Sequence, residues 1–211
     1  ANGLLDGNYA GCVWLQDCRR IVLRGIEARN YHGDGLSWQI CHDVTVERCS
    51  SHDHSGLGLH PGSGSQRTVI RNCALERNDI GIFFCWGVRG GLAQDNAITG
   101  NRIGISIGHR DTDNVVRGNT ISGSGEAGIL FRQEKDSGAA GHRNLIENNT
   151  LTDNGGAQGA AIRLAAPVRQ RAVPAAPPGH AGPQGSAPRA PAPNARRGAA
   201  RCCRGYARRS V

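Results

Sequence analysis

Short apolar runs with a period of two recur along the chain at nearly even intervals. They read "GCVWLQ" from Gly11, "DGLSWQ" from Asp34, "SGLGLH" from Ser55, "IGIFFC" from Ile80, "IGISIG" from Ile103 and "AGILFR" from Ala127, with "AAIRL" closing the series at Ala160. Taking Val13, Leu36, Leu57, Ile82, Ile105 and Ile129 as equivalent gives steps of 23, 21, 25, 23 and 24 residues. A near-constant period in the twenties is the mark of a solenoid, whose repeats bury their apolar faces only against one another. A second series runs through the middle of each repeat, with Leu23, Val46, Ile70, Ala93, Val116 and Ile146 in one column. Ile26, Cys49, Cys73, Asn96, Asn119 and Asn149 form the next.

The runs are three to five residues long and are broken by Gly, Asn and Asp. That is strand-and-turn chemistry; no helical window of ten residues and no leucine-Asn consensus is present. Several short strands per repeat, stacked in parallel, predict an all-β, parallel β-helix of about six coils. With coils about 4.8 Å apart, the rod is roughly 30 Å long. Stacking places like residues above one another, so buried Asn side chains can bond to backbone in their own turn and in the next coil. Asn96, Asn119 and Asn149 are expected to form one internal ladder, and Asn78, Asn101 and Asn154 a second.

The "V.R.N.I..N..GI" cadence from Asn2 to about Leu164 resembles the right-handed parallel β-helix superfamily (pectate lyase-like, PbH1-repeat). That superfamily contains pectate lyases, polygalacturonases, alginate C5-epimerases and periplasmic copper-deposition proteins. The resemblance implies a right-handed winding, a polysaccharide partner, and a secreted or periplasmic location. Its catalytic motifs do not transfer residue by residue. "YHGDGLSW" offers Asp34 in an Asp-Gly turn and "IGHRD" a Gly-His, but the paired Asp and the Arg-Ile-Lys of polygalacturonases are absent. "LHPG" at Leu59 echoes the epimerase Asp-Pro-His-Asp without either acid. No cofactor is called for; calcium would be the choice of a pectate lyase, but the acids are too scattered to name a site.

Composition divides the chain at Leu164. The formal charge is +8, yet nine Arg and no acid lie in 165–211, which leaves 16 basic against 17 acidic residues before it. The repeat body is close to neutral, so nothing in it suggests a phosphate-binding face or a nucleic-acid partner. Eight of the nine prolines also lie in 165–211. This Ala/Pro/Arg/Gly-rich segment has too few large apolar groups to offset its ordering entropy and is expected to be a disordered tail. Arg outnumbers Lys twenty-four to one, so a GC-rich gene read out of frame after Leu164 would produce the same composition. The domain division is therefore 1–164, repeats, and 165–211, tail. The first residues read as a partial coil without a cap, which suggests a fragment of a longer protein. No run is long or apolar enough to suggest a membrane-spanning helix, and no feature specifies an oligomeric state.

Eight cysteines form no CxxC pairs, which argues against zinc. Cys49 with Cys73, and Cys18 with Cys41, are one repeat apart and within reach of either disulfides or apolar thiol packing.

The turns after the first strand of each coil lengthen from the third coil onward: "HPGSGSQR", "CWGVRGG", "GHRDTDN" and "RQEKDSGAAGHRN". Gln16, Gln39, His60, Cys85, Gly108 and Arg132 are read as one external line beside these turns, which would flank a groove. Candidate catalytic residues are His60, His109, Asp111, Arg132 and Glu134. Candidate substrate-binding residues are Gln39, Trp86 and Arg110. Elimination in a uronate chain needs a base at the C5 proton and cations for the carboxylate; hydrolysis needs an acid and a base, commonly two carboxyls. His60 and His109 are two coils apart, and Asp111 and Glu134 lie in adjacent coils, where one carboxyl would raise the pKa of the other. Arg110 and Arg132 would pair with a carboxylate, and Trp86 would face a sugar ring. The plainer alternative is a solvated, ion-paired loop. "SHDHSG" at Ser51 places His52 and His54 at a spacing that can hold a metal with His60.

These observations predict a carbohydrate-active protein, with lyase or glycoside hydrolase chemistry preferred. The alternatives are a non-catalytic glycan-binding or structural module and a copper-binding protein using His52, His54 and His60.

Overall fold

The computed structural model describes residues 11–134 and 137–164; the 165–211 segment lies outside the described residues. Eighteen of the nineteen strands are wound as six sets of three, and the nineteenth begins a further coil. The first strand of each coil enters a seven-stranded sheet: β1 (Gly11–Gln16), β4 (Asp34–Gln39), β7 (Leu57–Gly62), β10 (Ile80–Phe83), β13 (Ile103–Ile107), β16 (Ala127–Phe131) and β19 (Ala160–Leu164). The second strands, β2 (Val22–Arg24), β5 (Thr45–Glu47), β8 (Val69–Arg71), β11 (Leu92–Gln94), β14 (Val115–Arg117) and β17 (Leu145–Glu147), form a six-stranded sheet. The third strands, β3 (Glu27–Arg29), β6 (Ser50–His52), β9 (Ala74–Glu76), β12 (Ala97–Thr99), β15 (Thr120–Ser122) and β18 (Thr150–Thr152), form another. Every strand pairing among the described residues is parallel and joins strands one coil apart. The molecule is a right-handed parallel β-helix, and no α-helix occurs among the described residues.

Single residues in the left-handed region bend the chain between strands. Gly25, Arg48, Asn72, Asp95, Gly118 and Asn148 turn the second strand into the third, all at φ between 51° and 64°. Only a few of these are Gly, although L side chains resist positive φ. At other bends the excess cost is offset by ion pairs from coil to coil: Arg67 donates to both carboxylate oxygens of Asp43, Arg77 to those of Asp53, and Arg143 to those of Asp113. Their partners Asp43, Asp53 and Asp113 are held below the usual carboxylate range, chiefly by those guanidinium hydrogen bonds.

Inside, Leu36, Leu59, Ile82, Ile105 and Ile129 stack in register and are fully buried. The third-coil member is Leu59, not Leu57; the step is then 23 residues through four coils. Leu57 instead pairs with Ile80 at the entering edge of the sheet and is only partly buried. Packing between coils is tight at the glycine that precedes each inward aliphatic. A Cβ on Gly104 would stand 2.4 Å from Gly128 O and 2.6 Å from Ile121 Cγ2, so nothing larger fits.

The internal Asn ladders are present. The amides of Cys73, Asn96 and Asn119 donate to the Oδ1 of Asn96, Asn119 and Asn149 in turn, at about 3.0 Å. A third ladder, unread in the sequence, joins Gly91, Asn114 and Asn144. The second ladder runs from His54 through Asn78 to Asn101, and Ser124 donates to Asn154. It is interrupted at Ser124, whose hydroxyl is buried without a partner. Ser124→Asn places an amide oxygen where the Asn101 N–H needs an acceptor and is expected to stabilise the fold by about 1 kcal/mol. Urea denaturation measures it, and a loss of stability would show that the longer side chain does not fit.

Cys49 and Cys73 continue the first ladder's column as thiols. Each donates to carbonyl oxygens, Cys73 to Val46 O at 3.6 Å and Arg71 O at 3.3 Å, and burial pushes the Cys73 thiol up to about 11. Cys12, Cys18, Cys41, Cys49 and Cys73 are thiols and form no disulfide.

Candidate functional site on the outer face of the first sheet

Side chains that alternate with the inward aliphatics point away from the core of the seven-stranded sheet. Two outward columns result. One contains Trp14, Ser37, His60, Phe83, Ser106, Leu130 and Arg163. The other contains Gln16, Gln39, Gly62 and Cys85. His60 therefore belongs to the first column and Gly62 holds the place expected for it in the second. The displacement by two residues is the same one that separates Leu57 from Leu59.

His60 is 5% exposed and is held on one side only. Its Nδ1 lies 2.7 Å from Asp34 Oδ2, with Ser37 Oγ at 3.3 Å from the same nitrogen. Asp34 is fixed in turn, since its Oδ1 accepts the Leu57 N–H at 3.4 Å. A carboxylate at Nδ1 holds a proton on that nitrogen, so in the neutral imidazole Nε2 is the nitrogen with the free lone pair. Nε2 has no hydrogen-bond partner among the described residues. Gln39 lies beside this group, donating to Ser37 Oγ at 3.4 Å. It also occupies the space over Gly62 that any side chain there would take.

The turn that follows β13 builds the second half. His109 and Arg110 both adopt positive φ, at 46° and 64°, and this doubled bend turns Asp111 inward. Asp111 is fully buried; Oδ1 accepts the N–H groups of Gly87 and Val88, and Oδ2 accepts those of Gly108 and of Arg132 Nη2. Its carboxyl is pushed up to about 6 by burial, against the opposing pull of Arg132 and the backbone amides. The cause is thus desolvation, not a neighbouring Glu134 carboxylate as the coil spacing suggested.

Arg132 reaches back across two coils. Nη1 donates to Ser106 Oγ at 2.8 Å, Nη2 donates to Phe84 O at 2.9 Å, and the guanidinium lies 4.4 Å above the Phe83 ring centroid. Nη2 is also 3.3 Å from His109 Nδ1, while His109 Nε2 lies 3.3 Å from Glu134 Oε2. Both His109 nitrogens are therefore engaged, and burial together with Arg132 holds its pKa below the ordinary histidine value. Glu134 is committed as well, since Oε1 accepts the His109 N–H at 2.7 Å. Trp86 packs edge-on to His109 at 6.0 Å, and Arg110 is exposed at the rim.

Phe83 joins the halves. The His60 ring lies 5.3 Å from it on one side and the Arg132 guanidinium covers it on the other. His60, His109, Asp111, Arg132, Glu134, Gln39 and Trp86 thus form one connected group on one wall. Asp111 and Glu134 accept hydrogen bonds from the surrounding turns, Asp111 from Gly87, Val88, Gly108 and Arg132 and Glu134 from His109. Asp34 was noted in sequence only as part of an Asp-Gly turn, and Ser37 and Phe83 were not singled out.

The histidine group of "SHDHSG" does not assemble. Asp53, between the two histidines, has φ 58° and breaks the strand alternation. His52 stays outside with Asp53 and Glu27, whereas His54 turns inward, where Tyr31 N–H donates to Nδ1 and Ser51 Oγ lies 3.1 Å from Nε2. His60 is bound to Asp34 on a different sheet. No group of three or more metal-ligating side chains gathers among the described residues, so the copper reading loses its ligands, and calcium gains none.

The profile of the right handed beta helix region family matches residues 8–166. The chain belongs to the right-handed β-helix family. Among curated relatives it is 29% identical over 124 residues to the mannuronan C5-epimerases AlgE2 and AlgE5 of Azotobacter vinelandii. Each match covers 58% of this chain and 12% of the relative, so the chain spans about an eighth of their length. An alginate lyase structure from Paenibacillus is similar over 70% of this chain and 75% of that one, at 12% identity and a TM-score of 0.45. In this β-helix no described helix is long and apolar enough to cross a membrane.

Proposed function

We propose that this β-helix acts on a uronate polysaccharide by removing the proton next to the sugar carboxylate, as a lyase or an epimerase outside the cytoplasm. The carrying observation is the Asp34–His60 pair on the outer column, which engages Nδ1 and makes Nε2 the basic nitrogen of the neutral ring. Proton abstraction needs one base and a cation; hydrolysis needs two cooperating carboxyls. The outer wall has the former, with His60 as base and Asp34 holding its tautomer. The proton taken from C5 then passes from the imidazolium to the departing O4 in elimination, or stays on the ring while solvent delivers another to the opposite face of C5 in epimerisation. Arg132, beyond Phe83, supplies the positive charge that favours the carboxylate and the enolate-like charge that builds on it. Trp86 and Arg110 stand at the rim, where a sugar face and a second carboxylate would meet them. The names of the epimerase relatives support the same substrate class.

The test is solvent exchange. Incubating acidic and neutral polysaccharides with the protein in deuterated water should either place deuterium at C5 of a uronate polymer, as an epimerase would, or release ultraviolet-absorbing unsaturated ends, which keep no C5 hydrogen, as a lyase would. Retention of a polymer with neither exchange nor products would favour instead non-catalytic glycan binding, for which the hydrogen bonds that hold Arg132, His109 and Glu134 to one another are the supporting observation.

A further inference from the structure

Four ladder steps beyond His60 on the same outward column stands Arg163 of β19. At about 4.8 Å per step the two are roughly 19 Å apart along the rod. Arg163 forms one wall of a cleft of about 190 Å³ completed by Gly125, Glu126, Gly155 and Gly159. The glycines leave its floor as bare backbone. Arg163 Nη1 lies 3.2 Å from Glu126 Oε1, and Glu126 also pairs with Arg102, which in turn is bonded to Asp79. This series runs along the entering edge of the sheet towards the third coil. The Arg163 Nε and Nη2 make no hydrogen bond among the described residues, and the Arg163 and Glu126 side chains are 42% and 36% exposed.

We infer that this cleft is a distal subsite for the polymer engaged at His60, binding one sugar unit through neighbouring hydroxyls. The inference rests on the proposed function. A guanidinium with spare donors beside a carboxylate presents donor and acceptor side by side, which matches a vicinal diol, each hydroxyl both giving and accepting a proton. A carboxylate is a poorer fit, because Glu126 would repel it. The separation means that only a chain of several units reaches both places, so the site selects for length.

Calorimetric titration of the 211-residue chain with oligomannuronates from dimer to octamer tests this. Affinity should rise about tenfold between oligomers too short and long enough to span, the worth of two hydrogen bonds. Arg163→Ala should abolish that rise while leaving the short oligomers unaffected, and circular dichroism should report an unchanged fold. Affinity independent of length, or an equal loss at every length in Arg163→Ala, overturns the subsite but not the site at His60. Absence of binding at every length overturns the proposed function and the subsite together.

Discussion

His60→Gln is expected to cut C5 proton removal, read as deuterium uptake at C5 or as release of unsaturated ends, by roughly 10²- to 10⁴-fold, the range ascribed to a positioned general base. The glutamine amide can still donate towards Asp34, so the anchor survives while the basic nitrogen is gone. The melting temperature should move by no more than a few degrees, because no apolar volume leaves the core. Asp34→Asn should lose part of the rate, since an amide no longer dictates which imidazole nitrogen carries the proton. The two variants separate the base from the residue that positions it. Equal proton removal by His60→Gln and the unmodified protein would move the chemistry elsewhere on the wall.

Arg132→Ala is expected to cost about 3–5 kcal/mol of stability at neutral pH, because it strands the Asp111 carboxylate in a fully buried position. The pH dependence identifies the cause. Asp111 has its folded pKa raised from the ordinary 3.8 to about 6. The stability it contributes is present in full below 3.8 and is lost as pH rises through 6, a change of about 3 kcal/mol. Removing Arg132 takes away the one cation that favours the ionised form, so the decline should steepen. Urea denaturation at pH 4.5 and 7.5 should show the larger destabilisation at 7.5. Adding Asp111→Asn to Arg132→Ala should recover part of it. An equal loss at both pH values would mean that the Arg132 contacts to Ser106 and Phe84 O carry the effect, not the buried charge.

The cadence of strands was legible because every coil repeats the same burial problem. The column Leu23, Val46, Ile70, Ala93, Val116 and Ile146 stands in register as read. The register of the first sheet was misread only in the third coil. There "LGL" offers two leucines at a spacing of two, and period-two patterning cannot choose between them. The even 23-residue step is the criterion that decides for Leu59.

The site was less legible, and for a specific reason. Alternation along the chain assigns faces only while the backbone remains extended. One left-handed residue resets the parity: Asp53 sends His54 inward away from His52, and the His109–Arg110 bend sends Asp111 into the core. Asp34 was missed as the partner of His60 because the contact is diagonal, 26 residues back; the strand register places Ser37, not Asp34, directly beside His60. Arg132 was expected to face solvent, but its long side chain lies down across Phe83, which covers apolar surface while the head group finds acceptors.

The state of the His60 ring is open to direct observation without any substrate. A long-range proton–nitrogen correlation spectrum of the neutral ring should show Nδ1 protonated and Nε2 bare. A proton on Nε2, with Nδ1 unprotonated, would contradict the account, since the wall would then present a donor where a base is required.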